Sequence, residues 1–347
     1  MPARAAHAAG PRPDDRALRT AYLDLLKLCL CDLAGIATWS VVKGPDGRVR
    51  SRELKGGDLR IRAEGADWPL HGLTMIGMSR LDDLQTCVET VVRDGVQGDL
   101  IEAGTWRGGA SILMRATLDS LGADDRTVVV ADSFQGFPAA DEDENLNAVD
   151  FLAVPVEQVQ DNFRRFGLER GVDFVEGFFE ETMGRLVDRR WAVVRLDADT
   201  YEATWVALES LYPGLATGGY LIVDDYGTLE PCRRAVDEFR ERHGLTEPLE
   251  QVDWTCVRWR RQSTAPIEAT RAVPATARGN GSRVRAATRS RQTQVPTERE
   301  LRLTEKLAGL RARLGNAEAE LAHLRSSPLN GPREWLRRRR SGTGAAR

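Results

Sequence analysis

GDLIEAGTWRGGAS, residues 98–111, decides the fold. Residues 99–103 form a short apolar run that carries an acid, Glu102, near its end. Gly104, Gly108 and Gly109 then let the backbone turn tightly, and a helix is predicted from about Ala110. Strand, glycine-rich turn and helix open a doubly wound sheet, and there this turn abuts a ligand at the carboxyl edge. The spacing is neither GxGxxG nor GxxxxGK[ST], since Arg107 is followed by glycines and no phosphate-loop lysine. A plain tight turn reads equally well from these residues alone.

Outward from that turn the same alternation continues. Apolar runs at 127–131, 172–175, 192–196 and 220–223 alternate with helical patterns at 110–121, 156–166, 200–211 and 230–241. Val- and Ile-rich strands alternating with helices predict a parallel α/β sheet covered on both faces. DWTCVRWR (253–260) alternates and predicts a late antiparallel strand at or near the sheet edge. Upstream, Leu18, Tyr22, Leu25, Leu26, Cys29, Leu30 and Leu33 recur at steps of three and four, which predicts an amphipathic helix over 16–34. A loop-like stretch is expected at 43–55, then a loop leading into a helix at 81–93.

The ends differ from this body. Residues 1–15 are Ala/Pro-rich and predict a disordered leader, so the domain is expected over 16–261. Residues 262–297 lose all periodicity and read as a flexible basic linker. Leu303, Leu307, Leu310, Leu314, Ala317, Leu321 and Leu324 then alternate steps of four and three, which predicts a short coiled coil over 298–326 and with it a homo-oligomer. A basic tail follows at 327–347. Residues 262–347 hold 18 Lys and Arg against 7 Asp and Glu, a net of +11, while residues 1–261 carry 31 against 45, a net of −14. No RNA- or DNA-binding motif accompanies the arginines, so no specific nucleic-acid partner is expected. No apolar run of about 18 residues is present, so no membrane span is expected. The stretch from Leu23 to Ile36 is broken by Asp24, Lys27 and Asp32, which argues against a secretory signal. Five scattered cysteines fit a reducing compartment, and the cytoplasm is the expected location.

Two further strand ends carry chemistry. In VVVADSFQGFP (128–138) Asp132 stands about 30 residues after Glu102, placed to accept hydrogen bonds from two ribose hydroxyls. A helix N-cap is the other reading of that acid. With the first turn, it suggests an adenosine-containing cofactor. RLDADTYEAT (195–204) and YLIVDDYG (220–227) place Asp197, Asp199, Asp224 and Asp225 at the ends of two strands. Four carboxylates so close repel one another. A hard divalent cation is the natural compensation, and Mg²⁺ suits a site that keeps positions open for substrate oxygens.

Together GDLIEAGTWRGGAS, ADSFQGFP, LDADTYEAT and GGYLIVDDYG resemble the macrocin O-methyltransferase family, as do WPLHGLTMIGMSRLDDL (68–84) and VPVEQVQDNFRRFGL (154–168). The resemblance covers roughly 68–261. It implies a class I, Rossmann-like methyltransferase fold with a seven-stranded, mostly parallel sheet. It also implies S-adenosylmethionine as methyl donor, Mg²⁺, and an acceptor hydroxyl on a sugar of a glycosylated natural product or saccharide. Carried over by residue, it makes Asp197, Asp224 and Asp225 the metal ligands and makes Thr74 and Met75 lid contacts to the cofactor. Glu102, Ala103, Gly104, Thr105 and Trp106, then Asp132, Ser133, Phe134, Gln135 and Gly136, then Gly177 and Phe178, fall in the cofactor pocket. Some relatives have a histidine base in the loop after ADSFQG, but AADEDENLNAVDF (139–151) has none. In others the second acid of DxD is the base, and Asp199 fills that position. Two rivals remain at this stage. A catechol-type enzyme acting on an aromatic diol is expected to use a lysine near the metal, which LDADTYEAT lacks. A non-catalytic coiled-coil assembly protein leaves the four acids without a use.

Overall fold

The computed structural model describes residues 13–43, 48–137 and 151–267. The expected coiled coil, the basic tail, most of the leader and linker, and residues 138–150 lie outside the described residues.

Each apolar run of the sequence is a strand. β4 (Asp99–Ala103), β5 (Val128–Asp132), β6 (Val172–Glu176), β7 (Trp191–Leu196) and β8 (Leu215–Val223) pair in parallel in the order β6-β5-β4-β7-β8. β10 (Val257–Arg260) runs antiparallel beside β8, and β9 (Glu250–Gln251) closes the edge. Seven strands, five of them parallel, bear out the expected sheet. Successive residues point to opposite faces, and both faces are buried. Leu100, Val128, Val130 and Val193 face one core with Leu84, Val88, Ile112 and Phe163. Ile101, Val129, Ala131 and Val194 face the other with Trp205, Leu208, Leu211 and Phe239. Each fully buried Val or Leu contributes about 1.5–3 kcal/mol, so the alternation by itself orients the strands.

Among the described residues the α-helices are α1 (Pro13–Leu30), α2 (Leu59–Ala63), α3 (Gly77–Arg93), α4 (Gly109–Ser120), α5 (Val156–Phe166), α6 (Phe179–Thr182), α7 (Tyr201–Leu211) and α8 (Glu230–Arg242). No helix among the described residues is long and apolar enough to cross a membrane. All five cysteines are free, and all but Cys29 are buried.

The stretch read as a loop at 43–55 is different. β1 (Thr38–Lys43) and β2 (Val49–Leu54) form an antiparallel pair, and β3 (Trp68–Pro69) adds to β1 on its other side. β2 reads VRSREL and leaves Arg50 and Ser51 in water, so charge hid the strand period. Buried Arg62 ties this small sheet to the core, donating to the carbonyls of Cys31 and Trp39 and to Asp67.

The chain passes from β4 to one side of the sheet and returns to β7 on the other. The carboxyl ends of β4 and β7 therefore form the switch point, where doubly wound sheets open a crevice for a ligand.

Candidate active site

The β4 turn is built around close backbone approach. Gly104 has φ +89°, and a Cβ there would lie 1.8 Å from the Asp197 carbonyl oxygen. Only glycine lets β4 and β7 part at this distance. Gly108, at φ +87°, starts α4, and a Cβ on it would meet Val159 at 2.8 Å. Glu102 turns beneath the turn rather than into the crevice. It is buried and accepts from Ser111 Oγ at 2.5 Å, Thr105 Oγ1 at 3.1 Å and Arg195 Nη1 at 2.7 Å. Burial pushes its carboxyl up to about 7, against the pull of Arg195.

Asp132, at the end of β5, knits two turns together. Its Oδ2 accepts from the backbone N–H of Thr105 at 2.8 Å and of Trp106 at 3.1 Å. Its Oδ1 accepts from Phe134 N–H at 2.9 Å. Trp106 and Phe134 both carry positive φ, +50° and +56°, a conformation that costs of order 1–3 kcal/mol and persists where the surroundings impose it. Asp132 supplies that imposition. Ser133 Oγ donates to the Gly136 carbonyl at 2.7 Å and accepts from Gln135 N–H at 3.1 Å, closing the second turn. Gly177 N–H donates to the Asp132 carbonyl at 3.0 Å and so joins the β6 end to it. Thr74 packs against the start of α4, where Gly109 N–H donates to the neighbouring Leu73 carbonyl at 2.9 Å.

The acids at the ends of β7 and β8 divide into two groups. One carboxylate oxygen from each of Asp197, Asp199 and Asp225 lies within 4.8 Å of the other two. Asp225 is buried, and its Oδ2 has no hydrogen-bond partner. Burial, then the charges of Asp199 and Asp197, hold its carboxyl well above the usual range. Burial and Asp197 push Asp199 up to about 7. Asp199 itself sits at φ +55°, directly before the α7 cap formed by Thr200, whose hydroxyl accepts from Ala203 N–H at 3.2 Å. Asp224 lies outside that group and is held by two arginines. Arg195 Nη2 donates to its Oδ1 at 2.6 Å, and Arg80 Nη1 donates to its Oδ2. Burial opposes the Arg80 charge, but Asp224 and Asp253 outweigh that and raise its pKa.

A cavity of about 320 Å³ opens over these turns. Of the residues expected at the site, Met75, Gly104, Trp106, Asp132, Ser133, Gly136, Phe178, Asp197 and Asp199 line it. Thr74, Glu102, Ala103, Thr105 and Phe134 are buried behind that lining, and Gln135 is exposed. Phe179, Glu180, Glu202 and Ala203 line it without having been singled out. Arg80 and Arg195 were missed as well. Both lie inside quoted motifs, and Arg195 interrupts the otherwise apolar WAVVRL. A buried arginine in a central strand requires acids beside it, and that was the readable signal.

The donor set fits a hard cation: all ligand atoms are carboxylate oxygens, and one of them is buried without a partner. The lining fits a nucleoside-bearing cofactor, with an acid at the end of β5 and apolar Met75 and Phe178 around it.

Comparison with known proteins agrees with this geometry. The sequence profile of macrocin-O-methyltransferase (TylF) matches residues 43–261. The chain is 44% identical over 262 residues to 8-demethyl-8-(2,3-dimethoxy-alpha-L-rhamnosyl)-tetracenomycin-C 4'-O-methyltransferase of Streptomyces olivaceus, covering 71% of this chain and 95% of that one. It is 46% identical over 214 residues to mycinamicin III 3''-O-methyltransferase of Micromonospora griseorubida, covering 58% and 84%. The solved structure of the O-methyltransferase NovP superposes with a TM-score of 0.62 at 39% identity, covering 71% of this chain and all of that one.

Proposed function

Because the chain belongs to the macrocin O-methyltransferase family, we propose that it moves a methyl group from S-adenosylmethionine to a sugar hydroxyl on a glycosylated natural product, with Mg²⁺ held at the ends of β7 and β8. One observation carries the metal and base assignments. Asp197, Asp199 and Asp225 converge within 4.8 Å beside the cavity, and one buried oxygen among them lacks a partner. The sugar acceptor is supported by the rhamnosyl group in the name of the Streptomyces olivaceus relative.

Asp197 and Asp225 are the ligands of this reading, and the family motif adds Asp224, which stands beside the converging acids in sequence and not among them in space. Each Asp224 oxygen is held by one arginine and keeps a second lone pair. Asp199 is the base. Asp197 and Asp225 would hold Mg²⁺, which would supply Lewis-acid activation of the acceptor hydroxyl. S-adenosylmethionine held in the cavity would supply the sulfonium methyl, its C–S bond breaking as the C–O bond to the acceptor forms, and Asp199 is the group placed to take the hydroxyl proton. Asp132 and the β4 turn hold the adenosine end. Met75 and Trp106 help to exclude water from the cavity.

The test is direct. Asp199→Asn is expected to lower turnover about 10²–10⁴-fold while S-adenosylmethionine affinity, measured by calorimetry, stays unchanged. Transfer to a rhamnoside diol that is abolished by EDTA and restored by Mg²⁺ supports the reading. Transfer only to a catechol would replace it with the aromatic-diol enzyme, and full activity of the Asp199→Asn variant would remove the base.

A further inference from the structure

Arg195 stands on β7 between β4 and β8, with its side chain 2% exposed. Its guanidinium is shared among three acids at the carboxyl ends of three strands. Nη1 donates to Glu102 Oε1 at 2.7 Å and to Asp197 Oδ2 at 3.1 Å, and Nη2 donates to Asp224 Oδ1 at 2.6 Å. Beyond Glu102 the bonding continues through its other oxygen to the hydroxyls of Thr105 and Ser111. Thr105 N–H in turn donates to Asp132. An unbroken run of hydrogen bonds therefore joins the acids of the cation end to the turn at the cofactor end.

We propose that Arg195 is a positioning residue that couples metal binding to cofactor binding, so that each ligand tightens the other. The inference rests on the metal and cofactor reading given above. A cation at Asp197, the acid that Arg195 shares with the converging group, would repel the guanidinium and take over part of the charge it was neutralising. Arg195 is then committed to Glu102. The ionised Glu102 accepts from Thr105 and Ser111 together, and this holds the turn whose N–H groups meet Asp132. The planar fork is essential, because a lysine ammonium in its place carries the charge as a point and does not bridge three acids. Arg80 is the contrast. It also holds Asp224, but its other partners are Asp253 and the Gly65 carbonyl, away from Glu102.

Calorimetry on the full chain tests this with S-adenosylmethionine and Mg²⁺ as the two probes, each titrated with and without the other. Wild type is expected to bind S-adenosylmethionine at least about fivefold more tightly with Mg²⁺ present, the lower end of usual coupling. Arg195→Lys is expected to bind each ligand alone but to bring the coupling within about twofold of none. Glu102→Gln cuts the same run from its other end and is expected to do likewise, which keeps the test open if the lysine variant does not fold. Arg80→Lys is expected to weaken Mg²⁺ yet retain the coupling. Full coupling in Arg195→Lys overturns the proposal, as does equal loss in Arg80→Lys. A wild type that binds both ligands independently overturns it while leaving the function intact. A wild type that binds S-adenosylmethionine but not Mg²⁺ removes the metal reading and this inference with it.

Discussion

Asp132 shows how much one side chain holds at the scale of a residue. Three backbone N–H groups from two turns end on its carboxylate, and two of them belong to residues at positive φ. Asp132→Ala is expected to cost at least about 2 kcal/mol of stability, since several donors lose a charged acceptor at once. Cofactor affinity is expected to fall about tenfold or more with it. Urea unfolding and calorimetry measure the two effects, and unchanged stability would mean that the turns stand without this acid. Gly104→Ala is the sterically sharper change. Its Cβ would lie 1.8 Å from a carbonyl oxygen in backbone already at φ +89°. A loss above about 4 kcal/mol, or no soluble folded chain, is expected in denaturant titration. A stable variant would require β4 and β7 to separate freely at the crevice. The acid at the end of β5 was legible from its spacing after Glu102. Its backbone partners were not, because nothing in VVVADSF states which N–H groups will surround the carboxylate.

Among the elements, local pattern predicted most boundaries to within a residue or two. α5 spans the expected 156–166, and β4 spans 99–103. β8 begins earlier than its apolar run, at Leu215, because exposed Thr217 and the glycines after it split the sequence pattern between buried Leu215–Ala216 and the buried run that follows. The β1–β2 hairpin escaped because its outer face is charged. α7 offers a test at this scale. Thr200 caps it, and Asp199 stands directly before the cap, so the cap helps to hold the proposed base at positive φ. Thr200→Ala is expected to cost about 1 kcal/mol in thermal unfolding, with Thr200→Ser recovering most of it. No change in either variant would leave α7 held by its packing alone.

The whole molecule concentrates like charge where water is scarce, and its stability is expected to depend on pH accordingly. Glu102 rises from 4.5 to about 7, Asp199 from 3.8 to about 7, and Asp197 and Asp225 shift in the same direction. Between the unfolded and folded values the folded chain holds more protons than the unfolded one. The contribution is present at low pH and is lost as pH rises, so the metal-free melting temperature is expected to fall between about pH 5 and about pH 7.5. Mg²⁺ favours the ionised carboxylates and is expected to raise that temperature more at the upper pH than at the lower. Scanning calorimetry at both pH values checks this. An equal Mg²⁺ shift at both would separate the cation from these acids.

By itself the sequence determined what is local: the run of strands and helices, the glycine turn after β4, and the acids that close β5, β7 and β8. Apolar periodicity and the residues that follow a strand are written in adjacent positions, so they can be read without coordinates. Tertiary structure alone decided which charges share space. Arg80 meets Asp224 across 144 residues of chain, and Arg195 meets Glu102 across 93. Both pairings exist because β4, β7 and β8 lie side by side with α3 packed over β7 and β8, an order that no stretch of sequence contains. Only that order turns Asp224 toward two arginines and leaves Asp225 with an unpartnered oxygen beside Asp197 and Asp199. An ion pair inside a protein is set by distance and burial, and both are properties of the folded chain.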